Sequence, residues 1–211
     1  MKKTLFILAA SMVVVNAQSI VNVTNTAFNN ELAILDNAGQ IVTSGVSIAV
    51  GTFDTPADAA NPATFGETFT SFGQAAFVPF PAVGQPAAGF FDVAVAGFSL
   101  TSAGDGSDFI QENISVIIFE GDSLSDSQAF ASFNTDGIFL ADSVTNDASS
   151  ASVSLNNLQF GEPATGTFVI DNGFLGQTIA TNAVQLTFIP EPSAALLAGL
   201  ALVGGLVRRR R

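Results

Sequence analysis

The residue of this chain that most resembles a catalytic nucleophile is Ser123, which follows an apolar run. Residues 116–128 read VIIFEGDSLSDSQ, so this serine lies just after a candidate strand and among acidic side chains. A serine hydroxyl attacks a carbonyl carbon only when a positioned base, most often a histidine oriented by a carboxylate, accepts its proton. The chemistry open to Ser123 therefore depends on whether the chain contains such a base.

The letters GDSL at residues 121–124 resemble the nucleophile motif of the GDSL family of serine esterases and lipases. That family places its serine after the first strand of an α/β sheet and pairs it with a downstream Asp-x-x-His motif. This chain has no histidine, and its only lysines are Lys2 and Lys3. Because no base is available to activate the hydroxyl, we expect Ser123 to be part of a polar turn. The chain is predicted to have no catalytic residue and not to be an enzyme.

Residues 18–189 carry many carboxylates and no cationic side chain. The six basic residues are Lys2, Lys3 and the four C-terminal arginines, whereas all 18 acidic residues except Glu191 lie within this segment. Nucleic acid is excluded as a partner, because binding phosphates requires Lys and Arg. The chain also lacks cysteine, so stability must come from a packed core, to which most of its 20 phenylalanines can contribute.

Two acidic loops are candidates for calcium, since hard cations prefer carboxylate and carbonyl oxygens. Residues 102–109 offer Asp105 and Asp108, and residues 120–126 offer Glu120, Asp122 and Asp126. Neither loop has EF-hand spacing, and acidic turns are usually solvated. A diffuse atmosphere of divalent cations is favoured over an ordered ion. We therefore assign no metal ligand and no cofactor beyond these weak Ca²⁺ candidates.

The segment 18–189 is predicted to be β throughout. Stretches such as SIAV at 47–50 alternate with a two-residue period, and no stretch has helical periodicity over three turns. The predicted strands are 20–25, 31–35, 40–43, 46–53, 94–100, 115–119, 129–133, 138–141, 151–155, 167–170 and 183–189. Many short strands separated by turns predict an all-β fold class, as a single β-sandwich or jelly-roll-like domain.

Two further features concern the connections between these strands. Residues 36–39 and 134–137 have the composition of Asx/Gly turns, and Asp136-Gly137 is a strong signal for a hairpin. The proline-rich residues 54–91 are predicted to be long connections, with some of their phenylalanines packing onto the sheet. These phenylalanines are Phe65, Phe69, Phe72, Phe77, Phe80 and Phe90.

Residues 1–17, MKKTLFILAASMVVVNA, have the form of a secretory signal peptide. Two lysines precede an apolar core, and the segment ends in a valine and an alanine at the −3 and −1 positions of a cleavage site. We expect an N-terminal signal helix that signal peptidase removes after Ala17.

Residues 190–211 form a second distinct end. Pro190, Glu191 and Pro192 are followed by the uncharged run SAALLAGLALVGGLV at 193–207 and then by Arg208, Arg209, Arg210 and Arg211. This run is short for a bilayer span, which takes about 20 residues, and the arginines would stop translocation. We expect a C-terminal membrane helix that serves as a transient inner-membrane anchor.

The order of tripeptide, apolar run and basic cluster resembles the PEP-CTERM sorting domain of bacterial exosortase substrates. The resemblance covers about residues 189–211 and none of the preceding domain. It implies that an exosortase-type membrane protease or transpeptidase recognises Pro190-Glu191-Pro192 in a Gram-negative bacterium. It also implies that the processed protein reaches the cell surface or the extracellular matrix. Prolines keep the motif extended and outside the following helix.

The sequence thus predicts an exported cell-surface or extracellular-matrix protein with a structural or adhesive role, for example in a biofilm. One alternative is a module that binds surface glycan or extracellular polysaccharide, with or without Ca²⁺. A remote alternative is a glycoside hydrolase that uses carboxylates alone. The hydrolase is disfavoured because sugar sites use Trp and Tyr platforms and Arg, and the segment 18–189 contains none of these residues.

Overall fold

The computed structural model describes residues 18–25, 32–82, 85–101, 104–142, 149–165 and 182–189. Within these ranges the chain is mostly β and forms several sheets. The predicted signal peptide with its cleavage site after Ala17, the tripeptide Pro190-Glu191-Pro192 and the arginines 208–211 all lie outside the described residues. Among the helices of the described ranges, none has the length and apolar character needed to cross a membrane.

The described strands are short, apart from five that span eight residues or more. In chain order they are β1 (Ile20–Thr24), β2 (Leu32–Leu35), β3 (Val46–Phe53), β4 (Phe69–Ala76), β5 (Pro79–Ala82), β6 (Gln85–Ala96), β7 (Asn113–Glu120), β8 (Ala129–Ile138), β9 (Ser149–Ser152), β10 (Leu158–Phe160), β11 (Glu162–Thr165), β12 (Asn182–Gln185) and β13 (Thr187–Phe188). The helical elements are α1 (Phe65–Thr68) and the 3₁₀ turns Asp58–Ala60, Pro62–Thr64, Ser107–Phe109 and Leu155–Asn157.

The described strands pair into three sheets. The six-stranded sheet is antiparallel and has the order β10-β8-β7-β3-β4. β13 pairs with the same edge of β8 as β10 does, but nearer the start of β8. The four-stranded sheet has the order β5-β6-β1-β9, in which β9 runs parallel to β1. The three-stranded sheet has the order β11-β12-β2, in which β12 runs parallel to β2.

The main core contains side chains from all three sheets. On the six-stranded sheet, every second residue of β3, β7 and β8 points into it, for example Ile48, Val116 and Phe133. Apolar burial is the dominant favourable contribution to folding. Because the chain has no cysteine, this core carries the stability that a disulfide supplies in many exported proteins.

A buried asparagine joins the sheets at one end of the core. The Asn25 side chain donates from Nδ2 to the carbonyl oxygens of Leu32 (2.7 Å) and Gly89 (2.9 Å) and accepts at Oδ1 from the Phe91 N–H (2.8 Å). A buried amide is costly unless its hydrogen bonds are made, and here three are. Asn25 therefore ties the end of β1 to β2 and β6.

The Asx/Gly turn predicted at residues 36–39 is present. The Asp36 carboxylate accepts hydrogen bonds from the N–H groups of Ala38 (2.9 Å) and Gln40 (2.8 Å). Gly39 has a φ of 76°, a value that glycine adopts without strain. The local sequence was sufficient to predict this turn, because the hydrogen bonds that Asp36 accepts are made within five residues.

The hairpin predicted at Asp136-Gly137 is wrong, because these residues lie inside β8. Residues 135–137 of β8 lie opposite the single residue Ile114 of β7, which makes an irregular bulge. Thr135 Oγ1 fills the bulge by donating to the Ile114 carbonyl (2.7 Å) and accepting from the Gly137 N–H (3.2 Å). A Cβ on Gly137 would lie 2.3 Å from the Ser150 carbonyl oxygen. Here the glycine permits a close approach of β9 and not a turn.

The long connections predicted at residues 54–91 are also corrected, because β4, β5 and most of β6 lie there. The prediction was wrong because it took the prolines as evidence against strands. Pro79, Pro81 and Pro86 occur in the β5–β6 pair at the edge of the four-stranded sheet, where a missing N–H is tolerated. The prediction that phenylalanines of this region pack onto the sheets is confirmed for Phe65, Phe72, Phe77 and Phe90, which are buried.

Other strand predictions differ in their bounds. The prediction at 46–53 matches β3, that at 115–119 covers the central part of β7, and that at 129–133 covers the first half of β8. The strand predicted at 40–43 is reduced to a single bridge between Ile41 and Leu35. Residues 97–100 and 139–141 are not in strands, and the strand predicted at 167–170 lies outside the described residues.

Candidate functional site

The loop that carries Ser123 joins β7 to β8 and is held against β3 and β4. Gly121, at φ 89°, turns the chain out of β7, and its N–H donates to the Gly45 carbonyl (2.9 Å). Its own carbonyl accepts from Ser47 Oγ (2.7 Å), while Gln74 Nε2 donates to the Asp122 carbonyl (2.6 Å). These backbone contacts fix where residues 121–123 lie at the end of the six-stranded sheet.

The Ser123 hydroxyl makes a hydrogen bond within its own loop. Ser123 Oγ lies 2.8 Å from Ser125 Oγ, and Ser125 Oγ lies 3.3 Å from the nearer carboxylate oxygen of Asp126. The Asp126 N–H donates to the Ser123 carbonyl (3.3 Å), which closes the turn. Among the residues that the structure describes, the side chain hydrogen-bonded to Ser123 is another serine hydroxyl, which is not a general base. This arrangement is that of a polar turn.

The acidic residues proposed for calcium lie in separate places. Glu120 accepts from the Asn37 N–H (2.9 Å) through Oε1 and so connects the end of β7 to the turn after β2. Asp122 and Asp126 are exposed in the β7–β8 loop, and Asp105 and Asp108 are exposed in the loop before β7. Within the described ranges, no group of three or more Asp or Glu side chains is arranged to hold a metal ion.

An apolar surface lies near this loop. On the face of the six-stranded sheet opposite the main core, a second cluster is formed by buried residues of β3, β7 and β8 together with Phe65 of α1. We call it the outer cluster; its buried members are Ala49, Phe65, Ile117, Phe119 and Phe130. Residues 54–68, which we call the cover segment, lie over part of this face and contribute Ala59 and Phe65 to buried positions.

Polar side chains on the outer face attach the cover segment. Ser132 is fully buried, and its Oγ donates to the carbonyl oxygen of Ala59. Asn134 Nδ2 donates to the Pro56 carbonyl (3.1 Å), while its Oδ1 accepts from Ser115 Oγ (2.9 Å). Since Ser115, Ser132 and Asn134 alternate with core residues along β7 and β8, all three lie on the outer face.

The cover segment leaves a groove open between itself and the β7–β8 loop. This groove has a volume of about 740 Å³. Its walls, which define what we call the apolar groove, are Pro62, Ala63, Phe65, Gly66, Phe69, Ser71, Leu124, Ser125, Asp126, Ser127, Gln128, Phe130 and Ile189. The rings of Phe53, Phe65, Phe69 and Phe130 are adjacent, with centroid separations of 4.9 to 5.8 Å. Its volume and mostly apolar walls are within the range of pockets that bind small molecules.

The last described residue, Ile189, forms part of the groove wall. β13 pairs with β8 through Thr187 and Phe188, and the Ile189 N–H donates to the Gln128 carbonyl (2.7 Å). The chain therefore leaves the described structure from inside the groove, immediately before Pro190.

Sequence reasoning did not identify the apolar groove. One signal was present, because β7 reads NISVIIFE and is apolar on both faces, a pattern that indicates a strand covered on both sides. Which segment covers the second face could not be read from that pattern.

No family model, no curated protein and no solved structure matches this chain.

Proposed function

We propose that this chain is an exported protein of the cell surface or extracellular matrix, with a structural or adhesive role, whose C-terminal tail is processed by an exosortase. The observation that carries the proposal is the order of Pro190-Glu191-Pro192, an uncharged run and four arginines directly after the strands. The pairing of β13 ends at Phe188, so a membrane enzyme would find the tripeptide immediately beyond the last strand.

The proposal includes the finer architecture of the domain, a β-sandwich or jelly-roll-like fold over residues 18–189. Its support is that the six-stranded and four-stranded sheets contribute alternate residues to the same main core. Two sheets that share a core in this way are the usual arrangement of a sandwich. Such a domain suits an exported protein without cysteine, because the core replaces the disulfides as the source of stability.

A role without catalysis is supported by the side chains around Ser123. The Ser123 hydroxyl is hydrogen-bonded to another serine, and the chain contains no histidine. Serine needs a base to become a nucleophile. We therefore propose that the domain acts by its presence and its surface.

The route requires two processing partners. Signal peptidase would cleave after Ala17, and an exosortase-type protease or transpeptidase would act near Glu191 while the tail holds the precursor in the inner membrane. The destination in this proposal is the surface or the surrounding polysaccharide of a Gram-negative bacterium. Proline on both sides of Glu191 keeps this segment extended, which is the form in which a protease binds its substrate.

The test is to replace Glu191 with alanine and express the chain in a Gram-negative host that has an exosortase. We expect the Glu191→Ala precursor to accumulate in the membrane fraction and the mature species to be lost, as seen by the mass shift on a gel. The matched control is Glu162→Ala, because Glu162 is exposed and also precedes a proline. This control should mature normally. Normal maturation of Glu191→Ala would refute the route.

A further inference from the structure

We propose that the apolar groove is a docking site for the chain's own C-terminal segment, residues 193–200 (SAALLAGL), when the full chain is in water. The proposal does not depend on the sorting route. It concerns what covers these apolar residues whenever no bilayer is present.

The docking segment follows the groove wall closely in the sequence. Ile189 is a wall residue of the groove and is hydrogen-bonded through its N–H to Gln128. Residue 193 follows four residues later, and an extended chain spans at most about 3.6 Å per residue. It therefore lies within about 14 Å of the groove wall by the same measure.

The C-terminal segment and the groove wall are both largely apolar. Residues 193–207 contain no charged side chain and are rich in Leu and Ala, so they expose apolar surface that water disfavours. The groove presents the partly exposed Phe69 and Leu124 at its surface, with the buried rings of Phe65 and Phe130 behind them. Small residues such as Ala194 and Ala195 would allow close approach to these rings, and Leu196 and Leu197 would bury the largest apolar area.

The groove and the C-terminal tail carry opposite charges. Asp126 lies in the groove wall, and Glu67, which follows the wall residue Gly66 in the sequence, is exposed on α1. The described residues contain no Lys or Arg, whereas four arginines follow the apolar run. Opposite charges around an interface orient the two surfaces and suppress wrong partners, so the tail is better matched to this acidic rim than a second copy of the acidic domain.

The tether also favours the chain's own segment over other apolar partners. A short linker whose length matches the distance between the two sites gives an effective concentration in the millimolar range. A second copy of the chain at micromolar concentration would compete at about a thousandfold disadvantage by the same arithmetic. The occupant that we propose is therefore the tail of the same molecule.

The experiment is photo-cross-linking in the full chain without detergent. Leu124 is replaced with p-benzoylphenylalanine, and a mixture of ¹⁴N-labelled and ¹⁵N-labelled protein distinguishes cross-links within one molecule from those between molecules. We expect a cross-link within one molecule between position 124 and a peptide that contains residues 193–200.

Two comparisons separate docking from mere proximity along the chain. The double change Leu196→Asp and Leu197→Asp keeps the tether and removes the apolar contact, and should lower the yield of the 193–200 cross-link about tenfold, as loss of a contact worth about 1.4 kcal/mol would do. Ala198→Ser is the mild control and should keep most of the yield. The same photoreactive residue at Val78, which is exposed and does not line the groove, should give no tail cross-link.

Three outcomes would overturn the proposal. They are a cross-link only between molecules, a yield unchanged by the two aspartates, and no 193–200 peptide from position 124. Unfolding of the labelled chain is checked by its melting temperature. If the label at 124 lowers it, the label is moved to Ser127, which also lines the groove, and the same outcomes apply. None of these results bears on processing at Glu191, so the two proposals can fail separately.

Discussion

The two faces of the six-stranded sheet are both apolar, yet they are closed in different ways. The inner face packs into the main core against side chains of the other sheets. The outer face is covered by the local cover segment, the β7–β8 loop and the end of β13, and an apolar groove remains open there. Many strands of the other sheets bury the inner face together, whereas the cover segment is attached to the outer face by a few hydrogen bonds and apolar contacts. We therefore expect the outer face to be the more adaptable of the two.

The largest expected effects come from a matched pair of adjacent residues in β7. Ile118 points into the main core and Ile117 into the outer cluster, and both are fully buried. The cost of a large-to-small change depends on how well the site can collapse around the cavity. Ile118→Ala should lower the free energy of unfolding by about 4 kcal/mol, and Ile117→Ala by about 2 kcal/mol. The loss should be smaller at Ile117 because the cover segment can move into part of the cavity.

Urea denaturation of the two variants measures this difference. An equal or larger loss for Ile117→Ala would mean that the outer face is as rigidly packed as the inner one, and the contrast between the faces would be wrong.

A smaller effect is expected from the attachment of the cover segment. Ser132→Ala removes the hydrogen bond to the Ala59 carbonyl and leaves that oxygen without its buried partner. The free energy of unfolding should fall by about 1–2 kcal/mol. Amide exchange in the Asp58–Ala60 turn should rise more than in β3.

Ser150→Ala is the matched control for this change, since Ser150 is exposed on β9. It should alter stability by less than about 0.5 kcal/mol. If exchange rose equally in β3 and in the cover segment of Ser132→Ala, the bond would stabilise the whole fold and not the cover.

The smallest effect is expected at Ser123, which belongs to neither face. Ser123→Ala removes a hydrogen bond to Ser125 on the surface, and stability should change by less than about 0.5 kcal/mol. Hydrolysis of a p-nitrophenyl ester should be no faster with the wild-type chain than with Ser123→Ala or Ser125→Ala. A rate that depended on Ser123 alone would contradict the role without catalysis.

The accuracy of the sequence-based predictions followed the range of the interactions involved. The turn at 36–39 and the strand at 46–53 were predicted correctly because their determinants lie within a few residues. Asp136-Gly137 was misread because the same dipeptide serves either a hairpin or a bulge. The choice was made by β9, whose Ser150 carbonyl oxygen lies 2.3 Å from the position that a Cβ on Gly137 would take. The apolar groove was not predicted because it is likewise formed by segments that are distant in the sequence.

The amino-acid sequence by itself determined that the chain is rich in strands, that its middle is acidic without cations, and that no histidine is present to activate Ser123. These properties follow from which residues are present and from their local order. Only the tertiary structure decided which segment covers the outer face. Ser132 and Ala59 are 73 residues apart, and Asn134 and Pro56 are 78 apart. Such contacts form only when packing of the whole sheet brings the segments together, so no local pattern in the sequence specifies them.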